Sequence, residues 1–149
     1  MSDGILFELI TPEGLTFSGR AYEVLMPTPG GQIAVLPHHM PLVTLISTGV
    51  ISIRHRREDP DEQLDDIACA GGVAEVSGKR VRVLADVAER AEAVDELRAK
   101  AALAQAEALR RAAADQVAAA DALGAIELNL ARLKVADLKR RRARRTPGL

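Results

Sequence analysis

The spacing of apolar positions divides the chain in two. Up to about residue 90, short apolar segments rich in β-branched residues alternate with turn signals, and beyond that point apolar positions recur at helical spacing. Ile5–Thr11 reads as a strand closed by Thr11-Pro12-Glu13-Gly14, with Pro and Gly where a turn needs them. Residues 21–26 follow and end at Pro27-Thr28-Pro29-Gly30-Gly31. Residues 33–36 stop at Pro37, and Pro41 delays the next strand, Leu42–Ile46. After Thr48-Gly49, residues 50–55 alternate apolar and polar in the manner of a half-buried strand. An acidic loop over residues 58–66 precedes an apolar run, 67–76, which Gly71-Gly72 interrupts as a bulge or bend would. Ser77-Gly78-Lys79 is a hairpin turn into residues 81–87. Many short strands at regular spacing predict an antiparallel β-sandwich or barrel.

From Glu92 the pattern is helical. Thirteen of the 24 residues from 99 to 122 are alanine, the best helix former, and proline is absent until Pro147. Leu97, Ala101, Ala104 and Ala108 recur on one helical face; Leu123, Ile126, Leu130 and Leu133 form a second, with Leu128, Val135 and Leu138 beside it. The break falls in residues 115–121, with Asp121 as the cap of the second helix. The expected product is an antiparallel hairpin of two helices, each roughly 30 Å long. The fold class is therefore α+β: an N-terminal antiparallel β-sandwich, residues 1–90, followed by a C-terminal α-helical hairpin, residues 91–149. Alanine buries little area, so such a hairpin packs weakly and is built to detach from the sandwich or straighten. A permanently docked appendage accounts for the same residues.

Composition narrows the class. At 48% hydrophobic and 28% charged the chain is globular, and at 2% aromatic its core must come from Val, Ile, Leu and Ala. So few rings also argue against a base-stacking nucleic-acid platform. One cysteine, Cys69, excludes an internal disulfide. Met-Ser-Asp-Gly opens no signal peptide, and no stretch approaches the ~20 apolar residues of a membrane span, so the expectation is membrane association through partners alone. Net charge is −1, divided as −5 over residues 1–90 and +4 over residues 91–149.

The chemistry-bearing side chains are few. His38 and His39, adjacent on an extended chain, point to opposite faces and cannot share a metal; the third histidine, His55, and the single cysteine complete no zinc site. No motif such as Gly-x-Ser-x-Gly supports a hydrolytic triad, and no metal is expected. Asp95 and Arg98 have the i,i+3 spacing of a helical ion pair. Residues 132–145 hold eight basic residues and one acidic, more than a helix C-terminus needs. Arg54, Arg56 and Arg57 read as solvated strand-end charges. The basic tail leaves nucleic-acid binding as an alternative function, although the acidic sandwich would repel phosphates. A jelly-roll-type ligand-binding sandwich, its helices serving oligomerisation, is a third reading.

The order of features resembles the ε subunit of F-type ATP synthases, called δ in mitochondria. Residues 31–42, from Gly31-Gln32-Ile33 through Pro37-His38-His39-Met40-Pro41-Leu42, are similar to the family's G-x-(I/L)-G-(I/V)-x-P-x-H-x-P-L, with Ala34 in the place of a glycine. Phe17-Ser18-Gly19 resembles its F-S-G, and Thr48-Gly49-Val50-Ile51 its x-G-x-(I/V). Gly71-Gly72-Val73-Ala74-Glu75-Val76 followed by Val83-Leu84-Ala85-Asp86 resembles G-G-x-x-E-V…V-L-A-D. The resemblance implies a non-catalytic rotor subunit of the central stalk, at the cytoplasmic face of the bacterial cell membrane. It implies a sandwich that binds the γ subunit and the c-subunit ring during proton-driven ATP synthesis. Gln32 and His39 are its candidate interface residues, Gln32 replacing the glutamate of many relatives. The hairpin is implied to extend into the α/β catalytic head and inhibit ATP hydrolysis. Arg132, Lys134, Lys139, Arg140, Arg141 and Arg142 are then candidates to meet an acidic segment of the β subunits. No cofactor is required, but the run from Glu89 to Ala99 resembles the ATP-sensing motif (I/L)-D-x-x-R-A. That implies possible regulatory ATP at Glu89, Val94, Asp95, Arg98, Ala99 and Arg132, while Gln105 and Leu128 stand where strong ATP binders carry arginine.

Overall fold

The computed structural model describes residues 4–145; the ends of the two expected parts, residues 1–3 and 146–149, lie outside the described residues. Eight strands come first: β1 (Ile5–Thr11), β2 (Gly14–Ala21), β3 (Glu23–Thr28), β4 (Gly31–Val35), β5 (Leu42–Ile46), β6 (Gly49–Arg54), β7 (Asp65–Val76) and β8 (Arg80–Arg90). Two helices follow, α1 (Glu96–Ala112) and α2 (Gln116–Arg145). The segment expected at 21–26 is divided: Ala21 ends β2, which pairs with β1 from Ile5↔Ala21 to Thr11↔Gly14, and β3 continues through Pro27 to Thr28.

Pairing is antiparallel with one exception. β1 runs parallel to β8, from Leu6↔Arg80 to Ile10↔Leu84, because the rest of the sandwich serves as the long crossover that a parallel pair requires. β7 is twelve residues long and changes partner midway: its first part faces β6 (Gly49↔Cys69 to Ile53↔Asp65), its second part β5 (Leu42↔Val76 to Ile46↔Gly72). β8 accompanies it along both parts, from Ile67↔Arg90 to Val76↔Val81. The β7–β8 hairpin thus belongs to two sheets, β2-β1-β8-β7-β5 and β4-β3-β6-β7-β8. The change of sheet occurs at Gly71 (φ 52°) and Gly72 (φ 144°). A Cβ on Gly72 would stand 2.1 Å from the Leu84 carbonyl oxygen, so this bend is closed to every other residue.

Between the sheets lies an aliphatic core that includes Ile5, Phe7, Leu9, Val81 and Val83 on one side and Val24, Met26, Ile51, Ile53 and Ile67 on the other. Phe7 and Phe17, the two phenylalanines, meet with ring centroids 5.7 Å apart. Cys69 is fully buried here; burial pushes its thiol up to about 11, against a weaker opposing backbone hydrogen bond.

Expectation and structure part at β6 and in the helices. Residues 50–53 are all buried, not alternate ones, because α2 covers the outward Val50 and Ser52 while Ile51 and Ile53 face the core. The helices are unequal, about 25 Å and 45 Å at 1.5 Å per residue. α2 starts at Gln116: Asp115 caps it, its Oδ1 accepting the Ala118 N–H at 2.7 Å, and Asp121 lies exposed within the helix. The expected α1 face of Leu97, Ala101, Ala104 and Ala108 is largely bare, with Leu97 79% exposed; Ala99 and Ala106 are the buried pair. Alanine at so many positions leaves the phase of α1 unreadable, and packing selects the face.

α2 is buried on two opposite sides. Ala122, Ile126, Asn129 and Ala136 lie along one side, and Ala131, Val135, Leu138 and Arg142 lie nearly half a turn away. The second stripe meets Val50 and Ala68 on the outer face of the β6–β7 sheet, and the first is left to α1. This accounts for a helix that is apolar around much of its girth.

Gly72→Ala should abolish folding or cost more than about 3 kcal/mol, since both the φ angle and the carbonyl contact forbid a Cβ. Gly124→Ala, in open space on α2, should instead stabilise by about 1 kcal/mol. Urea midpoints of the two variants provide the comparison.

Candidate functional site

Gln32 and His39 do not share a loop face. Gln32 is exposed just inside the β3–β4 turn, whereas His39 follows the far end of β4, a five-residue strand of about 16 Å. The histidines also stand on a turn and not on extended chain. Pro37 and His38 occupy its centre, closed by His39 N–H to Leu36 O at 3.2 Å. His38 has φ 65°, the only positive φ outside glycine among the described residues, and its N–H donates to Gly78 O at 3.0 Å. His39 Nδ1 lies 2.7 Å from Met40 O. Among the described residues no three His, Cys, Asp or Glu side chains converge as a metal ion requires.

The two sheets differ on their outer faces. The pairings Leu45↔Val73, Val73↔Leu84, Leu84↔Ile10 and Ile10↔Leu15 draw one apolar row across five strands, β5-β7-β8-β1-β2. It points to solvent: Leu45 is 61% exposed, Leu84 51% and Leu15 61%. Val43 and Met40, exposed as well, extend it at the β5 edge. The next row, Val43↔Glu75, Glu75↔Arg82 and Arg82↔Glu8, carries charges that answer each other, with Arg82 Nε to Glu8 Oε2 at 3.2 Å. Sequence reasoning misses this face. Its only trace is leucine or valine at outward positions of β5, β7 and β8, and it takes the strand register to align them.

The other outer face is covered by α2 and its arginines. Asp66, 6% exposed on β7, accepts a hydrogen bond from Ser52 Oγ at 2.6 Å and pairs with Arg142, which also donates to Leu64 O. Arg132 forms a two-pronged bond to Glu89 on β8, Nε–Oε2 3.0 Å and Nη2–Oε1 2.6 Å, and its Nη1 donates to Asn129 Oδ1 at 3.1 Å. Arg145 reaches Glu62 at 3.2 Å. Arg140 ties α2 to Glu96 of α1 at 2.9 Å, and Arg141 pairs with Asp137 at 2.8 Å. Lys134 and Lys139 are exposed on the flanks of α2. Ser52 and Asp66 are further residues that sequence patterning passes over.

A cleft of about 320 Å³ lies where α1 and α2 leave the sandwich, lined by Glu89, Asp95, Arg98, Ala99, Asn129 and Arg132 among others. Five of the six residues of the ATP-sensing resemblance meet there; Val94 is half-buried and Ala93 lines the wall in its stead. The expected Asp95–Arg98 ion pair takes another form: Asp95 Oδ1 accepts the backbone N–H of Arg98 at 3.1 Å as the cap of α1.

Arg54 is not a solvated strand-end charge. Its side chain is 16% exposed and holds Glu23 at 2.8 Å and Asp61 at 2.6 Å, bonds that raise its pKa and lower that of Asp61. Arg56 and Arg57 are exposed. His55 bonds Asp65 at 2.7 Å; burial opposes its charging, but Asp65, the Arg20 carbonyl and Asp59 outweigh burial and raise its pKa.

The sequence pattern described as ATP synthase, Delta/Epsilon chain, beta-sandwich domain matches residues 5–91. The chain is 38% identical over 129 residues to the ATP synthase epsilon chain of Moorella thermoacetica, covering 87% of this chain and 93% of that protein. It is 37% identical over 141 residues to that of Bordetella avium, covering 95% and 93%. A chain of the Euglena gracilis mitochondrial ATP synthase (OSCP/F1/c-ring, rotational state 1) superposes with TM-score 0.75 at 20% identity, over 91% of this chain and 82% of that one. One from the Tetrahymena thermophila mitochondrial ATP synthase central stalk/c-ring superposes with TM-score 0.56 at 11% identity, over 89% and 96%. These two likenesses speak for the fold.

Proposed function

The chain belongs to the family of ATP synthase delta and epsilon chains, non-catalytic components of the central stalk, and from that premise we propose how its surfaces divide the work. The sandwich docks through its bare apolar face against the γ subunit, and the β3–β4 turn at Gln32 meets the c-subunit ring. The helical hairpin restrains ATP hydrolysis in the α/β head. The observation that carries the reading is the contrast between the two outer faces. One is sealed by the chain's own helix; the other leaves the row Leu45, Val73, Leu84, Ile10 and Leu15 against water, and an apolar row rimmed by self-neutralised charges suits a permanent protein partner. His39 opens the loop that leads into β5, the edge of that face, so it joins the γ contact while Gln32 serves the ring. Membership of the assembled complex is what would hold this subunit at the cytoplasmic face of a bacterial membrane; no described helix is long and apolar enough to cross a membrane.

Inhibition by the hairpin rests on its charge. Lys134, Lys139 and Arg141 face outward, while Arg132 and Arg142 hold carboxylates of the sandwich and become available to an acidic β-subunit segment once the hairpin leaves; Arg140, paired with Glu96 of α1, becomes available only when the two helices separate. The same intramolecular pairing weakens the nucleic-acid alternative, which also has no use for the apolar face.

Regulatory ATP is a second reading, favoured by the convergence of Glu89, Asp95, Arg98, Ala99 and Arg132 on one cleft. With Glu89 holding Arg132 and Asp95 close by, the cleft is nearly neutral, so a triphosphate has to displace Glu89 before it gains Arg132.

Leu84→Asp changes an exposed side chain and spares the core; it should weaken co-purification with γ by tenfold or more, about 1.4 kcal/mol or greater. Undiminished recovery would remove the docking assignment. Deletion of residues 121–149 should raise the ATPase rate of the assembled complex, and an unchanged rate counts against inhibition by the hairpin. Glu89→Gln frees Arg132 and should tighten ATP binding in calorimetry; heatless titrations of both proteins at millimolar ATP would dismiss the nucleotide reading.

A further inference from the structure

We infer that Asp66 is an internal counter-charge which makes the docked position of the hairpin conditional on Arg142, so that an acidic polypeptide able to take the α2 arginines releases the hairpin from the sandwich. The inference rests on the reading above that the hairpin moves.

The stripe of α2 that faces the sandwich reads Ala131, Val135, Leu138, Arg142, and the strand face beneath it changes in step. Val50 and Ala68, a cross-strand pair, lie under the apolar part; Ser52 and Asp66, the next outward pair, lie under Arg142. The apolar contact is small, built on Val50, Ala68, Ala131 and Val135 with Ala91 and Leu138 at its margin. The ion pair beside it is close to break-even as a source of stability, because both charges leave water to form it. The pair acts instead as a condition. Asp66 has a side chain 2% exposed with Ser52 as its other partner, so a docked hairpin that lacks the Arg142 charge encloses an uncompensated carboxylate. The converse loss is milder. Arg142 is 18% exposed near the end of α2 and can turn to water if Asp66 is neutral.

Arg132 and Arg145 repeat the arrangement on either side, against Glu89 and Glu62. Along the α2 axis the three arginines are separated by about 15 Å and about 4.5 Å. The sandwich therefore presents three carboxylates in the register of three arginines, and a partner that engages those arginines competes for the same atoms. Capture by the partner and undocking are one linked equilibrium: whatever opens the hairpin tightens acidic binding, and the reverse.

The test uses the full-length chain alone, with spin labels on Lys139→Cys and Glu58→Cys, both exposed and on opposite sides of the contact. Native Cys69 is fully buried and does not take the label. Electron–electron distance measurements should give one short distance in the parent chain. Arg142→Gln should raise the long-distance population by about tenfold or more, Asp66→Asn should raise it less, and the double variant should be more docked than Arg142→Gln alone. If Arg142→Gln is too unstable to label, the same order is read from melting temperatures, with the double variant above the single one. A docked Arg142→Gln hairpin, or a double variant as open as the single one, overturns the role of Asp66. Poly-glutamate at low salt should open the parent chain and poly-lysine should not; equal effects, or none, overturn the acidic partner. No other subunit is present, so an open hairpin paired with an unchanged ATPase rate on truncation would sink the inhibitory function and leave this inference standing.

Discussion

The architecture depends on one bend. β7 and β8 travel together through both sheets, and they change sheet at Gly71 and Gly72, where the backbone of β7 comes so close to the Leu84 carbonyl that no side chain fits. Without that bend β7 would have a single neighbour along the edge opposite β8, and β5 and β6 could not pair with successive parts of it. With it, the two sheets share a hairpin and close on an aliphatic core that needs few aromatic rings. The bend also fixes which side chains point outward on each sheet, and so determines the two outer faces on which function rests.

Those faces follow opposite rules. On the β6–β7 sheet the outward residues are small or polar, Val50, Ala68, Ser52 and Asp66, and the covering helix answers with alanine, valine and an arginine. Area burial there is modest, and on the proposed reading the contact opens and its charges decide whether closing is allowed. On the other sheet the outward row is leucine, isoleucine and valine, side chains that offer a large apolar area and are left uncovered among the described residues. On the proposed reading, a permanent contact and a reversible one are thus written in different chemistry on the same sandwich.

Much of this fold is legible in the sequence. Ile5–Thr11 and Leu42–Ile46 can be bounded from turn residues alone, and the paired glycines mark the bend, because these features depend on local backbone preference. Long-range features are not legible. The parallel β1–β8 pairing, the burial of both faces of β6, and the row from Leu45 to Leu15 all depend on strand register across the molecule, which no local spacing encodes. The alanine-rich helices fail for another reason. With the same small residue at so many positions, periodicity has almost no contrast, so the face of α1 that packs is chosen by α2 and the cleft at Asn129, not by α1 itself. The candidate cleft shows both limits: the sequence motif gathers Glu89, Asp95, Arg98 and Ala99, but only the fold reveals that Glu89 already occupies Arg132.

The two stripes of α2 also bear on how the hairpin can move. Contacts to α1 use Ala122, Ile126, Asn129 and Ala136, while contacts to the sandwich use Ala131, Val135, Leu138 and Arg142 on the opposite side. Undocking therefore breaks no part of the helix–helix seam, and the Arg140–Glu96 pair that ties the two helices is also untouched. The backbone hydrogen bonds of both helices are local and survive either way. Opening the hairpin itself is a separate step, which exposes Ile126 and Asn129 and needs some other surface to receive them. Release from the sandwich and straightening are thus separable steps. On the proposed reading, undocking is governed by charge on α2 and straightening by whatever apolar surface a partner offers.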